Sequence, residues 1–385
     1  MKLFGSWVGW FAGGVVAGGM TALAAAEQWL DYHTTSEGRG YRWLELSTNA
    51  PPGVPLPKLG ASPCFVRWTT PLDPQGARWI CFDRARHYGP YNRVFLDSNG
   101  DGRLDDETPQ DAVAMDDYSA TFAPARVVFK GEDGPLTYHL NLRFMRYTED
   151  DMRVLASSGC YYDGKVNLGG KKRLLTLEDS DVNGTFNDHA PDPADCDHVI
   201  VEGDKAGYRL LGQMLEVGDE LFTIEVARDG AFVKLEPAQN VTLGQVRVPE
   251  TVSEFVAFGA PGHFVRRPAN GVFTLPVGTY RVHGWTIDRK DDKGAAWKIS
   301  GSSFNDFSSF AVAVDKPAAL DVGEPVLAAL TATENKGGAD FSLRLKGRLG
   351  ESVEILKGPE RPRAPRLQLA SASGPFRATN TFEYG

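Results

Sequence analysis

The sequence predicts an all-β protein, and three observations carry that expectation. Apolar and polar residues alternate with period two through most of the chain. No stretch of about twelve residues sustains a helical period. Gly, Pro, Asn and Asp cluster between the alternating runs, where turns must fall.

Taken in order, residues 41–48 read as the first strand. Residues 49–62 are rich in Pro and Gly and cannot form a central strand. Strands follow at 63–70, 78–85 and 92–96. Residues 125–130 and 136–147 form a hairpin over Gly131-Glu132-Asp133-Gly134. Residues 149–156, with Asp150, Asp151 and Arg153, are the one fair helix candidate, and a short one. Residues 164–177 read as a strand pair turning at Gly169-Gly170. Strands at 198–202 and 208–217 lead to 220–227 and 231–236, which flank Arg228-Asp229-Gly230. Asp-Gly between alternating apolar runs is a strong hairpin signal.

From about residue 240 strand-like runs recur at short intervals: 245–248, 253–258, 271–275, 279–288, 296–300, 310–314, 326–333, 341–346 and 352–356. This spacing is expected of an immunoglobulin-like sandwich. Leu275-Pro276-Val277-Gly278-Thr279-Tyr280 resembles a hairpin turn of secreted sandwich domains. Residues 357–366, with Lys357, Arg361, Arg363 and Arg366, should run extended over the surface, as a solvated linker or a docking arm. The expected organisation is a signal peptide over residues 1–26, a β-domain over 27–239, the sandwich over 240–356 and an extended C-terminal tail over 357–385.

The N-terminus carries Lys2, an apolar run over residues 3–23 and then Ala24-Ala25-Ala26 before Glu27, a small-x-small cleavage pattern. The run is also long enough to span a bilayer, so an uncleaved anchor is the competing reading. Cleavage is the favoured one, giving a secreted or periplasmic protein with no membrane span in its mature chain. The formal charge of −9, from 41 basic and 50 acidic residues, argues against a nucleic-acid partner. Four cysteines in an oxidising compartment suggest disulfides, with Cys64–Cys81 across a hairpin and Cys160–Cys196 around the second of two loops described next. Free buried thiols are the alternative.

Those loops are a duplicated stretch. Asp97-Ser98-Asn99-Gly100-Asp101-Gly102-Arg103-Leu104-Asp105-Asp106 aligns without a gap with Asp179-Ser180-Asp181-Val182-Asn183-Gly184-Thr185-Phe186-Asn187-Asp188, and Pro109 with Pro191. Both copies place oxygen side chains at positions 1, 3 and 5, glycine at 6 and an apolar residue at 8, which is a Ca2+-loop pattern. Calcium takes six to eight hard oxygens, and a short loop supplies them by pointing alternate side chains inward. The candidate ligands in the first copy are Asp97, Asn99, Asp101, the Arg103 carbonyl and Asp105. In the second they are Asp179, Asp181, Asn183, the Thr185 carbonyl and Asn187. Leu104 and Phe186 would pin each loop to the core.

The match resembles EF-hand and dockerin loops but departs from them twice. The flanks are strands, and position 12 is Thr108 or Ala190 in place of a chelating Glu. Asp106 and Asp188, at position 10, are expected to supply the missing carboxylate. Asp111 in the first copy, and Asp192, Asp195 or Asp197 in the second, are further candidates. An Asx- and Gly-rich turn that merely caps two strands is the bland alternative. In an extracellular setting such sites bind weakly, at about 10⁻⁴ to 10⁻³ M, and rigidify the fold.

Other signals are weaker. His189, Cys196 and His198 are soft enough for zinc or copper but lack metal-site spacing. No common catalytic motif occurs, and no catalytic residue is assigned. Two carboxylates of a glycosidase would leave no local motif, however, and aromatics can stack on sugars. Trp43, Trp68, Trp79, Trp285 and Trp297 all lie in strands, where core packing is the simpler role. Residues 288–294 interleave acids with Lys290 and Lys293 and read as a solvated hairpin tip.

Residues 92–106, 164–188, 218–235 and 347–385 together resemble a group of uncharacterised secreted proteins from planctomycete-type bacteria. In these a D-x-N-x-D-G-x-L loop is followed by a G-x-V-x-L-G-G-K strand, here Gly164 to Lys171, and by a second D-x-D-x-N-G-x-F-x-D loop; the F-E-Y-G ending is here Phe382 to Gly385. The resemblance implies secretion and calcium loops and brings no activity with it. The function expected is structural or binding work at the cell envelope, with calcium and an extracellular protein or glycan as partners. The alternative is a carbohydrate-active protein whose calcium is structural.

Overall fold

The computed structural model describes residues 25–38, 40–84, 89–131, 134–148, 150–218, 220–304 and 308–384. The signal-sequence reading falls on residues 1–24, outside them. The chain is all-β. Among the described residues there is a 3-10 turn at Pro193–Asp195, 3-10 geometry again at Ser308, and no α-helix. No helix among these residues is long and apolar enough to cross a membrane.

Three antiparallel sheets share the first core. A 10-stranded sheet runs from Tyr41–Leu44 through Met152–Ser158, Gly134–Arg146 and Ala77–Asp83 to Cys64–Thr69 and Leu46–Ser47. A 5-stranded sheet orders Arg209–Leu210, His198–Val201, Lys171–Glu178, Cys160–Leu168 and Asp31–Thr34. A 4-stranded sheet sets Ala26–Trp29 beside Phe232–Pro237, then Glu220–Val226 and Met214–Val217. Alternation brings one face of each sheet inward, so Phe144, Leu175 and Val233 meet in one apolar cluster. Each such fully buried side chain contributes about 1.5–3 kcal/mol.

A second core lies between an 8-stranded and a 3-stranded sheet and gathers Phe255, Leu275, Tyr280, Trp285 and Val353. The two parts are joined by backbone hydrogen bonds from Gln213 N to Ala260 O (3.0 Å) and from Met214 N to Pro261 O (2.9 Å). Residues 357–384 do not stay extended throughout. Arg366–Ala370 folds back on Arg377–Thr381 as a separate 2-stranded hairpin.

Two further expectations are corrected. The helix candidate at 149–156 is a strand over Met152–Ser158, pairing on both sides with Gly134–Arg146 and Tyr41–Leu44. Val154, Ala156 and Ser158 face inward at period two, and that burial outweighs the local charge that suggested a helix. The disulfides are absent: Cys64, Cys81, Cys160 and Cys196 are all buried thiols, none bridged to another. Sheet register explains the first pair. Cys64 lies opposite Phe82 while Cys81 lies opposite Phe65. A one-residue offset puts the two thiols on opposite faces, Cys64 in the main core and Cys81 in a separate cluster with Leu104. Cys160 and Cys196 likewise belong to different clusters.

Candidate metal centre

The second loop leaves the strand Lys171–Glu178 and is organised by one buried carboxylate. Asp179 Oδ1 accepts from Val182 N (2.6 Å) and Asn183 N (3.2 Å). Its Oδ2 accepts from Gly184 N (2.7 Å) and from the Tyr138 hydroxyl (2.8 Å). Satisfying three consecutive amides bends the backbone sharply, and Val182 and Gly184 both take positive φ, 58° and 96°. A β-branched residue rarely tolerates that conformation. Here Val182 is fully buried and its carbonyl accepts from Trp68 Nε1 at 2.7 Å. Phe186 is buried against Tyr138 and Tyr162 and anchors the loop as expected.

Three carboxylates converge there. Oxygen atoms of Asp179, Asp181 and Asp197 all lie within 4.8 Å of one another. Asp197 comes from beyond the loop, and its two oxygens accept from Ser180 N (3.1 Å) and Asp188 N (2.8 Å), tying the two ends together. Asp188 Oδ2 accepts from Asn183 Nδ2 (3.1 Å) and from the Thr185 hydroxyl. Asn183 Nδ2 also donates to Asp181 Oδ2 (2.8 Å), while the buried Asp181 Oδ1 has no donor among the described residues. Asn187 stands apart, its carbonyl accepting from the His189 ring (3.3 Å).

The electrostatics follow from this crowding. Burial, and then the charge of Asp181, holds the Asp179 carboxyl well above its ordinary value. Burial and Asp179 do the same to Asp197, and burial with Asp188 raises Asp181. Three carboxylates this close, two of them buried and one half-buried, cannot all be ionised unless protons or a cation offset them. The cluster can hold a metal ion, and its oxygen-only donors favour a hard divalent ion over zinc or copper.

The first loop shares the turn but not the cluster. Asp97 accepts from Gly100 N (2.7 Å) and Gly102 N (3.1 Å), and Gly100 and Gly102 have φ of 78° and 77°. Beneath it lies the buried guanidinium of Arg78. Arg78 Nε donates to Asp73 Oδ2 (2.5 Å), and Nη1 donates to the Asp97 carbonyl (3.0 Å) and stands 3.8 Å from Asp97 Oδ1. The loop's negative charge thus already faces a protein cation.

Asn99, Asp101, Asp105 and Asp106 point outward on the exposed side. Asp101 accepts from Arg103 N (2.9 Å), and Arg103 pairs with Asp105 (2.7 Å). Leu104 is buried, as expected. Glu107 accepts from Ser98 N at 2.6 Å, the role that Asp197 plays for Ser180 in the second loop.

The remaining candidates are not gathered into a site. Asp111, Asp192 and Asp195 are exposed, and Asp192 caps the 3-10 turn. Cys196 Sγ faces the carbonyls of Ala190 (3.3 Å) and Asp192 (3.4 Å), and His198 Nε2 contacts Ser180 Oγ (3.1 Å). Trp68 and Trp285 are core residues, whereas Trp43 is 52% exposed. Asp291 Oδ1 accepts from Lys293 N (3.0 Å) and Ala295 N (2.9 Å), as a hairpin tip requires.

Sequence reasoning missed Arg78, Tyr138 and Glu107. Only Glu107 left a local signal, an acid at loop position 11, one short of the usual chelating Glu. Compared with protein-family models, curated proteins and solved structures, the chain finds no match in any of the three.

Proposed function

We propose that this protein is a calcium-stabilised secreted protein with a structural or binding role at the cell envelope. The observation that carries the reading is the convergence of Asp179 and Asp181, from a D-x-D-x-N-G loop, with Asp197 from beyond it, one Asp181 oxygen being buried with no donor among the described residues. A hard, oxygen-only site of irregular geometry suits calcium better than a strictly octahedral ion. The second loop then acts as a rigidifying staple, and the first loop reaches a similar turn with Arg78 as its cation. The 8-stranded and 3-stranded sheets beyond residue 240 are read as an immunoglobulin-like sandwich that presents binding surface.

Calorimetric titration of the EDTA-stripped protein with calcium, and in parallel with magnesium, tests this. One saturable calcium event that is lost in Asp181→Asn is expected. No heat and no melting shift up to about 10 mM calcium would reduce the loop to an ordinary turn.

A carbohydrate-active role is the second reading, and Tyr41 and Trp43 favour it. They are 66% and 52% exposed and lie two residues apart on one edge strand, so they share a face. A glycan array separates the two roles, and a defined sugar ligand lost in Trp43→Ala would favour the second.

A further inference from the structure

A cleft of about 520 Å³ opens where the two parts of the chain meet, a frequent place for small-molecule sites. Arg173, Lys205, Tyr208 and Arg209 line it from one part and His263 and His283 from the other. His263 is 6% exposed and sits on the strand Gly262–Arg266. Leu210 N donates to its Nδ1 at 3.1 Å across the junction. Nδ1 therefore carries the lone pair. Burial, reinforced by His283 and Arg209, holds the ring neutral, so the proton resides on Nε2. That buried Nε2 has no acceptor among the described residues.

Arg173 repeats the pattern. Its Nη1 is used by the Glu202 carbonyl (2.8 Å), and its buried Nε has no partner among the described residues. The acidic side chains around the cleft are already engaged. Asp204 and Glu216 pair with Arg209 (2.6 and 3.6 Å), Glu216 also with Arg266 (2.7 Å), and Glu254 with Arg267 (3.5 Å). The surplus is thus of donors, in a chain whose overall charge is −9. A zinc or copper ion does not fit, because His263 offers N–H where a ligand lone pair is needed.

We propose that this cleft binds a small oxyanion-bearing ligand, a carboxylate or sulfate of the kind carried by acidic sugars, whose oxygens accept from Arg173 and His263. Lys205, exposed at the rim, adds long-range attraction. Tyr208, 40% exposed and packed 4.3 Å from the His198 ring, offers an aromatic surface to the body of a sugar. The proposal is independent of the calcium loop.

Titration calorimetry of the full chain with sodium glucuronate and, separately, sodium sulfate tests it, with ionic strength held constant by chloride. Saturable binding of at least one probe is expected, weakened roughly tenfold or more in Arg173→Met and roughly twofold to threefold in Lys205→Met. The tighter probe identifies carboxylate or sulfate as the recognised group. Histidine ring ¹⁵N spectra give a readout that needs no substitution. His263 is expected as the Nε2–H tautomer, with its Nε2 resonance moving as the probe saturates. No saturable binding of either probe up to about 20 mM, binding unchanged in both variants, or an Nδ1–H tautomer at His263 would overturn the proposal.

Discussion

Asp181→Asn separates the two loops and the two states of the second one. Asn keeps the shape of Asp181 and its contact with Asn183, but removes a carboxylate that burial and Asp188 already push toward its neutral form. In EDTA the variant is therefore expected to melt at or above the wild type. In about 2 mM calcium, a site of about 10⁻⁴ to 10⁻³ M affinity stabilises the wild type by roughly 0.6–1.8 kcal/mol. At about 2–4 °C per kcal/mol for a unit of this size, the melting temperature rises by about 1–7 °C. The variant should lose that rise, so the ranking of the two proteins reverses between EDTA and calcium. Asp101→Asn, on the exposed rim of the loop that faces Arg78, should leave the calcium response intact. Paired thermal scans by intrinsic fluorescence read all six conditions. A calcium shift that survives in Asp181→Asn, or disappears in Asp101→Asn, refutes the assignment of the ion to the second loop.

Four further outcomes are expected. Arg78→Met strands Asp73 and Asp97 without their partner in a site where all three side chains are buried, and should cost about 3–5 kcal/mol in chemical denaturation. Gly230→Ala should cost about 2–4 kcal/mol, because φ there is 80° and a Cβ would lie 2.6 Å from the Tyr162 ring. Asp179 and Asp197 titrate higher in the folded than in the unfolded chain, so the native state binds more protons above the ordinary value of 3.8. In EDTA, stability should therefore fall as pH rises above that ordinary value, and calcium should flatten the slope. Burial pushes the Cys160 and Cys196 thiols up to about 11. A thiol reagent should therefore react slowly with the native protein and count four thiols after unfolding, and a smaller count would indicate a bridge.

Most of the sheet structure was legible because alternation is local. The pair turning at Gly169-Gly170 emerges as Cys160–Leu168 and Lys171–Glu178, and the Asp229-Gly230 turn joins Glu220–Val226 to Phe232–Pro237. Short strands such as Asp31–Thr34 and half-exposed ones such as Gln110–Met115 escaped, since too few residues alternate to reveal a face. The 149–156 segment misled because its charges sit at the start of a strand whose inward residues are small.

The site was half legible. Spacing alone marks Asp179, Asp181 and Asn183, because a loop of that pattern must turn on its own amides. Asp197 could only be one candidate among several, and Arg78 and Tyr138 not even that. They reach the loops from other strands, and which side chain arrives is decided by register across the sheet. The failed disulfides teach the same lesson, since a one-residue offset invisible in the sequence sent Cys64 and Cys81 to opposite faces.

The pairing of Ala26–Trp29 with Phe232–Pro237 bears on the order in which the molecule assembles. Ala26 lies opposite Leu235, so the earliest described strand is clasped by the last strand of its part of the chain. Everything between them must emerge from the ribosome before that clasp can form. Non-local closure of this kind is slow and leaves partly built sheets with open edges meanwhile. A growing chain with this topology cannot close its first part until synthesis has passed Phe232–Pro237, so that part is completed by its two ends at once.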